Sequence, residues 1–241
     1  MMNTVHVVLD FEMNPVSREI KEQNREKKYS RHGRNLQSEI IEIGAVKLED
    51  PGCVKTDEFS ILVKPEYNDS IEPKIQKLTG ICTEDVQDAV GYSEAMREFS
   101  DWIGSKEHAR IYSWSNSDSN QIRCECEFKD VEFPENMSDW VDFQVMFPRE
   151  TGLQIKRQMS LEYAAELGGI DFDDESAHRA LYDAQKTAEL VHMVLTGEYK
   201  DKMKNVTGVL RSDVEIGTAT MADKLGSKYA ELMERFGSSE V

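Results

Sequence analysis

The chain opens with a strand that must be covered on both of its faces. Residues 5–9 form a short, almost wholly apolar run that ends in Asp10-Phe11-Glu12, and such runs are typical of strands with other elements packed above and below the sheet. Because side chains alternate along a strand, Asp10 and Glu12 share one face while Phe11 points away. The two carboxylates can hold one cation, although acids also end strands simply because water lies there.

The later apolar segments predict an α/β fold with a mixed β-sheet flanked by helices. Apolar order returns at residues 40–46 and 59–63, on either side of the turn Asp50-Pro51-Gly52, so the first three strands are predicted to form a meander of hairpins. Strands then alternate with helices, which indicates a mixed sheet. The later strands are predicted at 109–114 and 140–143. Four helices are predicted: one at 93–103, one that begins at Asp118 with Ser117 as its cap, one from Ser160 to Gly168-Gly169, and one from residue 181 onward.

A histidine precedes a carboxylate by five residues at the start of the last of these helices. On an α-helix this separation turns the side chains of His178 and Asp183 about 140° apart, so they converge only if His178 lies on the loop before the helix. The sequence favours that placement, because the apolar stripe begins after the histidine. Its members are Leu181, Ala184, Ala188, Val191 and Leu195. Taken alone, the stretch also fits a solvated cap and an acid matched to the helix dipole.

Four acids lie where strand ends and helix starts would face a common cleft. They are Asp10, Glu12, Asp118 and Asp183, the complement needed to hold two divalent ions about 3.5–4 Å apart. Oxygen ligands favour Mg²⁺ or Mn²⁺ over zinc. The neutral imidazole of His178 would remove a proton from water in such a site. We therefore predict four metal ligands, with His178 and Glu12 as the catalytic residues.

Three segments of the chain also resemble a known family. Asp10-Phe11-Glu12, Trp114-Ser115-Asn116-Ser117-Asp118 and His178-x-Ala180-x-x-Asp183-Ala184 occur in this order, and together they resemble the motifs of DEDDh-type 3′–5′ exonucleases, the superfamily of proofreading exonucleases, RNase T and oligoribonuclease. The resemblance covers about residues 5–196 and is greatest to the RNA-processing branch that includes KapD-type proteins. It implies a ribonuclease H-like exonuclease fold and hydrolysis of single-stranded RNA or DNA from a free 3′ end to nucleoside 5′-monophosphates.

The resemblance leaves alternatives to an RNA-directed enzyme. One is a DNA-directed proofreading or repair exonuclease, since recognition of the 2′-OH has no short motif. Another is a non-catalytic binding module on the same fold, which the presence of all five catalytic-type residues disfavours. Two positions depart from the family pattern: Met13-Asn14 stands where a small hydroxyl residue is common, and Ser115 stands where glycine is common. Neither departure removes a metal ligand.

Phe11 and Met13 are the predicted border of the pocket for the terminal nucleotide. The ring of Phe11 leaves the first strand between two predicted ligands, so it could stack on a base. Equally, it could pack into the core behind the site. The sequence does not separate these two placements.

Charge is distributed unevenly along the chain. The formal net charge of -17 opposes indiscriminate binding of polyanions. Within the insertion 14–37, however, the segment from Arg18 to Arg34 carries a net charge of +4. This arm is expected either to guide a substrate strand toward the site or to be an ordinary solvated loop.

The domain organisation is predicted to be simple. Residues 1–199 would form the exonuclease domain and residues 200–241 a helical appendix. The appendix has an apolar stripe that would dock on its own domain or on a second copy as a homodimer; it consists of Met221, Leu225, Tyr229, Leu232 and Phe236. With neither a signal peptide nor a membrane-length apolar run in the sequence, we expect a cytoplasmic protein without a membrane partner.

Overall fold

The computed structural model describes residues 4–26, 36–104, 109–153, 158–173 and 176–202. Its strands are β1 (Val5–Pro15), β2 (Ser38–Glu49), β3 (Val54–Leu62), β4 (Ala109–Ser113) and β5 (Trp140–Asp142). Its helices are α1 (Arg18–Glu26), α2 (Pro73–Thr79), α3 (Thr83–Gln87), α4 (Tyr92–Ile103), α5 (Asn116–Phe128), α6 (Phe143–Thr151), α7 (Leu161–Gly168), α8 (Ala180–Thr196) and α9 (Tyr199–Lys202).

The five strands form one mixed sheet in the order β3-β2-β1-β4-β5. The first three strands are antiparallel neighbours, whereas β4 pairs in parallel with both β1 and β5. The α/β fold with an initial meander, predicted from the spacing of apolar runs, is confirmed. Strand β1 is the middle strand, so the acids that it carries lie on the centre of the sheet.

Alternation along β1 divides the core into two layers. Val8 packs with Val46 and Leu48 of β2 against α6, α7 and α8. Val7, Leu9 and Phe11 point the other way and pack with side chains from α4 and α5. Helices therefore cover both faces of the central strand, as its apolar run requires.

Strand β1 is longer than its apolar run predicted, because it continues past Glu12 to Pro15. Its ladder with β2 runs on to the pair of Pro15 and Ser38, with an irregularity after Glu12. The polar residue Asn14 is fully buried here. Its amide donates to the carbonyl of Ser70 at 3.2 Å and accepts the N–H of Glu72 at 2.9 Å. Partners more than fifty residues away thus allow a polar side chain inside the strand.

The insertion 14–37 was predicted as a plain loop or arm, and this is wrong for its first half. Helix α1 occupies Arg18–Glu26, and the hydroxyl of Ser17 accepts the N–H of Ile20 at 3.3 Å at its start. A helix of mostly polar side chains has no apolar stripe that a sequence pattern could detect. The central basic residues of the arm, Lys27, Lys28 and Arg31, lie outside the described residues, so guidance of a substrate strand stays a prediction.

Two other local predictions need correction. Ser115, rather than Ser117, is the cap of α5, because it has extended backbone angles and its hydroxyl accepts the N–H of Ser117 at 3.2 Å. Leu195, assigned to the core stripe of the last helix, is 38% exposed, whereas its neighbour Val194 is buried in the core. The cap of α7 at Ser160 and its end at Gly169 are confirmed.

A buried ionic cluster joins β2 to α5. Lys129 lies within 3.1 Å of Glu39 and 3.0 Å of Glu125, and both carboxylates are fully buried. Glu125 also accepts the backbone N–H of Ile40 at 3.0 Å. Buried charges persist when they are paired and hydrogen-bonded, so this cluster holds the start of β2 in place beside the candidate site.

The predicted helix of the appendix and the homodimer lie outside the described residues, which end at Lys202. The domain boundary at residue 199 stays a prediction. Tyr199, the last residue before it, packs against the core layer that contains side chains of α8. Within the described parts of the chain, we find no helix that combines the length and the apolarity needed to cross a membrane. The cellular location stays a prediction.

Candidate active site

The centre of β1 presents two carboxylates on one face of the sheet. Asp10 lies opposite Gly44 of β2, and Glu12 lies opposite Glu42. All four residues lie on the same face of the sheet as Val8, which is the face covered by α8. The pairing of β1 with β2 therefore places a third carboxylate, that of Glu42, directly beside Glu12.

The absence of a side chain at Gly44 lets α8 approach this face. A Cβ atom at this position would lie 2.1 Å from the backbone nitrogen of Leu181 and 2.2 Å from the carbonyl carbon of Ala180. Backbone atoms cannot give way as a flexible side chain can, so any larger residue would displace the first turn of α8. Gly44 thus sets how deeply the start of α8, and with it Asp183, enters the site.

This close approach brings three carboxylates to one point. Asp10, Glu12 and Asp183 each offer an oxygen atom, and these oxygens all lie within 4.8 Å of one another. Asp183 accepts the backbone N–H of His178. Its Oδ1 atom, however, is buried without a hydrogen-bond partner in the described structure. An unsatisfied buried carboxylate oxygen is costly, which marks this point as a place for a bound cation.

Asp118 comes to the same region from the opposite layer. It lies in the first turn of α5, is 3% exposed and accepts the backbone N–H of Phe11. Its charge acts on both Asp10 and Glu12. Its oxygens are outside the set of three that lie within 4.8 Å. The structure therefore brings together all four predicted ligands, with Asp118 at the periphery of the cluster.

Burial raises the pKa values of all four acids, and repulsion between carboxylates adds to this for Asp10 and Glu12. Loss of solvation raises the pKa of Glu12 to about 9, with a further increase from the charges of Asp183 and Glu42. Burial raises the pKa of Asp118 to about 7 and that of Asp183 to about 6. Burial, followed by the charge of Asp118, raises the pKa of Asp10 well above its usual range. Without a compensating cation, these carboxyl groups resist ionisation.

The residues present fit divalent metal ions of the Mg²⁺ or Mn²⁺ type. The donors of the cluster are carboxylate oxygens alone, which suit these hard ions better than zinc. The unpaired Oδ1 of Asp183 and the crowding of negative charge would both be relieved by a cation. Asp10, Glu12, Asp118 and Asp183 are the side chains that would hold the ions.

Metal binding should become tighter and more stabilising as the pH rises. The folded pKa values of about 6, 7 and 9 for Asp183, Asp118 and Glu12 lie above those of exposed carboxyl groups, about 4. The metal-free folded state therefore holds protons that the unfolded chain releases between about pH 4 and 9, so its stability falls as the pH rises through this window. Mg²⁺ or Mn²⁺ requires the ionised forms and counteracts this fall.

Thermal unfolding with EDTA and with Mg²⁺, from pH 5.5 to pH 9, measures this effect. We expect the gain in melting temperature on adding metal to be small at pH 5.5 and to grow up to pH 9. A gain that is independent of pH would contradict the coupling between these carboxyl groups and the metal. Ca²⁺, which also takes oxygen ligands, serves as the comparison ion.

His178 lies on the loop before α8, as predicted from the start of the apolar stripe. Its backbone is in the left-handed region with φ 64°, and its side chain is exposed. Histidine is one of the few residue types enriched in this conformation. The imidazole is close enough to Asp183 for its charge to lower the pKa of that carboxyl group. It is therefore accessible to solvent and placed at the mouth of the cluster.

Two residues that contact the start of α8 beside the cluster were not assigned a role from the sequence: Glu42 and Arg179. The carboxylate of Glu42 is 2% exposed and accepts the backbone N–H of Ala180 at 3.0 Å. It also accepts Nε and Nη2 of Arg179 at 3.2 and 2.7 Å. These bonds anchor the backbone on both sides of the start of α8 and so support the strained backbone of His178. The sequence did contain a signal for Glu42, because it is a charged residue inside the apolar run of β2. A charged residue is almost never buried without a partner, so a partner for Glu42 could have been expected.

The structure places Phe11 in the core. Its side chain is 5% exposed and packs in the layer formed with α4 and α5, away from the carboxylates. Met13 is partly buried against the same layer. Of the two placements that the sequence allowed, burial favours packing behind the site. A contact of Phe11 or Met13 with substrate stays a prediction, to which this packing adds no support.

Two sequence relatives of this chain are named exoribonucleases. The 3′–5′ exoribonuclease 1 of Rattus norvegicus is 24% identical over 165 residues, which is 65% of this chain and 47% of the relative. The ERI1 exoribonuclease 2 of Xenopus laevis is 24% identical over 184 residues, 68% of this chain and 26% of the relative. The chain thus spans half or less of the length of these two relatives.

Solved structures show the same fold at low identity. The nuclease domain of 3′hExo, a DEDDh family member bound to rAMP, aligns with a TM-score of 0.65 and 21% identity over 80% of this chain and 92% of that domain. A 3′-exonuclease in 3′-end specific recognition of a histone mRNA stem-loop aligns with a TM-score of 0.67 and 19% identity over 82% and 84% of the two chains. These similarities confirm the predicted ribonuclease H-like exonuclease fold.

The family model for RNase T exonucleases matches residues 7–191, which is most of the chain and contains all four clustered carboxylates and His178. The matched residues include all three motifs. The chain belongs to the RNase T exonuclease family.

Proposed function

We propose that this protein is a metal-dependent 3′–5′ exonuclease that hydrolyses single-stranded nucleic acid, RNA in preference to DNA, to nucleoside 5′-monophosphates. The observation that carries the proposal is the convergence of Asp10, Glu12 and Asp183 within 4.8 Å, with Asp118 beside them and one buried oxygen of Asp183 unpaired. Without bound cations, such a cluster of buried carboxylates would destabilise the fold. It is well suited to neutralising a phosphate through bound ions.

The four carboxylates would hold two divalent metal ions, Mg²⁺ or Mn²⁺, which when bound activate water and stabilise negative charge on a phosphate. Asp10 and Glu12 are fixed by the central strand, and Asp118 and Asp183 by the first turns of two helices on opposite layers. Because these elements pack in the core, the ligands are held in place before a substrate arrives. Burial raises the pKa of Glu12 to about 9 and that of Asp10 well above its usual range, so the ionisation of both acids depends on the site being occupied.

His178 would act as the general base. Its exposed imidazole at the mouth of the cluster can take the proton of an attacking water molecule. The water oxygen forms the new bond to phosphorus, and the bond from phosphorus to the 3′ oxygen of the preceding nucleotide breaks. That oxygen takes up a proton, which leaves a shortened strand with a 3′-OH and a free nucleoside 5′-monophosphate.

RNA is the favoured substrate because the curated relatives are named exoribonucleases. A DNA-directed proofreading or repair enzyme is the second candidate, since a solved exonuclease of the same fold, from E. coli, was determined with a dT13 oligonucleotide. The third candidate, a non-catalytic binding module, would retain the fold without turnover. The intact set of four carboxylates and His178 argues against it.

Digestion of matched 5′-labelled RNA and DNA oligonucleotides with Mg²⁺ or Mn²⁺ separates these candidates. We expect a ladder of labelled products that shortens from the 3′ end, with RNA cleaved faster than DNA. An oligonucleotide blocked by a 3′-phosphate is the control and should be cleaved more slowly. Preferential cleavage of DNA would support the second candidate, and binding without cleavage of either strand would support the third.

A further inference from the structure

Arg179 places a half-exposed positive charge at the edge of the acidic cluster. It directly follows His178 and is the N-cap of α8. Its side chain is 48% exposed, whereas its partner Glu42 is 2% exposed. Because Glu42 lies opposite Glu12 in the ladder of β1 and β2, the guanidinium is held beside the row of candidate metal ligands. Its charge acts on Glu12 as well as on Glu42.

The pair with Glu42 uses only part of the guanidinium. Nε and Nη2 donate to the two carboxylate oxygens at 3.2 and 2.7 Å. A guanidinium has five N–H groups in a planar fork, so three are not used by this pair. The carboxylate also fixes the plane of the fork, which reduces the conformational entropy that a further contact would cost. Arg179 is therefore an oriented donor with an exposed edge.

The ligand that fits this edge is a phosphate. Five carboxylates are gathered here, namely Asp10, Glu12, Asp118, Asp183 and Glu42, and a strand that enters brings one negative charge at each phosphodiester. Two divalent ions would balance four of the five acids and Arg179 the fifth, so the occupied site would carry no net negative charge to repel the phosphates of the strand. Guanidinium N–H groups match the non-bridging oxygens of a phosphate in geometry as well as in charge.

We infer that Arg179 contacts a backbone phosphate of the substrate strand at the mouth of the cluster, while Glu42 serves as the positioning residue that orients the guanidinium. The inference rests on the proposed function, because it requires that a nucleic-acid strand enters this site. It assigns to the side chain after His178 a role beyond that of an anchor for the start of α8. The competing interpretation is that the pair is structural only.

Three variants separate the two interpretations. Glu42→Gln removes the orienting charge and keeps the arginine. Arg179→Lys keeps a cation but loses the two-point pair. The double variant Glu42→Gln with Arg179→Gln removes the cation without leaving a buried carboxylate unpaired, which avoids the main cause of misfolding. Thermal unfolding of each variant reports the anchoring role by itself.

The decisive measurement is the salt dependence of binding to a single-stranded oligonucleotide whose last linkage is a phosphorothioate, so that it resists hydrolysis. A contact to one phosphate contributes about 0.7 to the slope of log K against log salt for a single strand. We expect the double variant to have a slope shallower than that of Glu42→Gln by about this amount. Arg179→Lys should keep the slope of the parent protein although its melting temperature falls.

Equal slopes for the double variant and Glu42→Gln would overturn the phosphate contact and leave the pair as an anchor. This result differs from failure of the proposed function. In that case the parent protein would not cleave an unmodified strand. If it also failed to bind the phosphorothioate strand, both proposals would fall together.

Discussion

Asp183→Asn is expected to abolish hydrolysis and to weaken the binding of Mg²⁺, while the folded state remains intact. The variant keeps the shape of the side chain but removes a charge from the point where three carboxylates lie within 4.8 Å. Loss of even an outer partner of a metal ligand typically costs 10–100-fold, and loss of a direct ligand should cost more. The measurement is single-turnover cleavage of a labelled oligonucleotide, together with calorimetric titration of the metal.

The thermal stability of this variant distinguishes loss of a ligand from loss of structure. Burial raises the pKa of Asp183 to about 6, so above that pH the ionised side chain destabilises the metal-free fold. Asp183→Asn should therefore be at least as stable as the parent protein in EDTA at pH 8. Asp101→Asn, which changes an exposed carboxylate of α4, is the matched control and should leave cleavage unchanged. Near-normal turnover of Asp183→Asn with Mg²⁺ would reject the assignment.

His178→Asn should reduce the rate of cleavage by about 10²–10⁴-fold, the usual cost of losing an acid–base group. Asparagine is the informative replacement because it tolerates the left-handed backbone that His178 adopts at φ 64°. The start of α8 then keeps its conformation, so the affinity for Mg²⁺ should change little. Rapid-quench kinetics at saturating substrate measures the chemical step.

His178→Ala is the companion variant, since alanine has no such tolerance for this backbone conformation. We expect it to lose the same catalytic factor and, in addition, some thermal stability. If His178→Asn instead cleaves at close to the parental rate at neutral pH, another group must accept the proton from water. In that case His178 would only orient the backbone N–H that Asp183 accepts.

The sequence alone identified the acids and the order in which the chain presents them. The alternation of Asp10, Phe11 and Glu12 on a strand is a local property, and it placed the two acids on one face and the ring on the other, as the structure shows. The start of the apolar stripe likewise placed His178 on a loop before α8. Local periodicity was sufficient because each of these features depends on only a few neighbouring residues.

Only the tertiary structure decided which of these groups meet and what their environment does to them. The bond from Ala180 to Glu42 joins residues 138 positions apart, and no local pattern encodes it. The same holds for the buried trio of Lys129, Glu39 and Glu125, whose residue types alone would indicate a solvated surface.

The raised pKa values follow from burial by distant elements, and so does the location of Phe11 in the core. The sequence by itself determined the fold class and the candidate ligands, because both depend on periodicity and on residue type. The approach of α8 over Gly44, the anchor between Glu42 and Arg179, and the depth of the cluster depend on long-range packing. That packing turns four separate acids into one site.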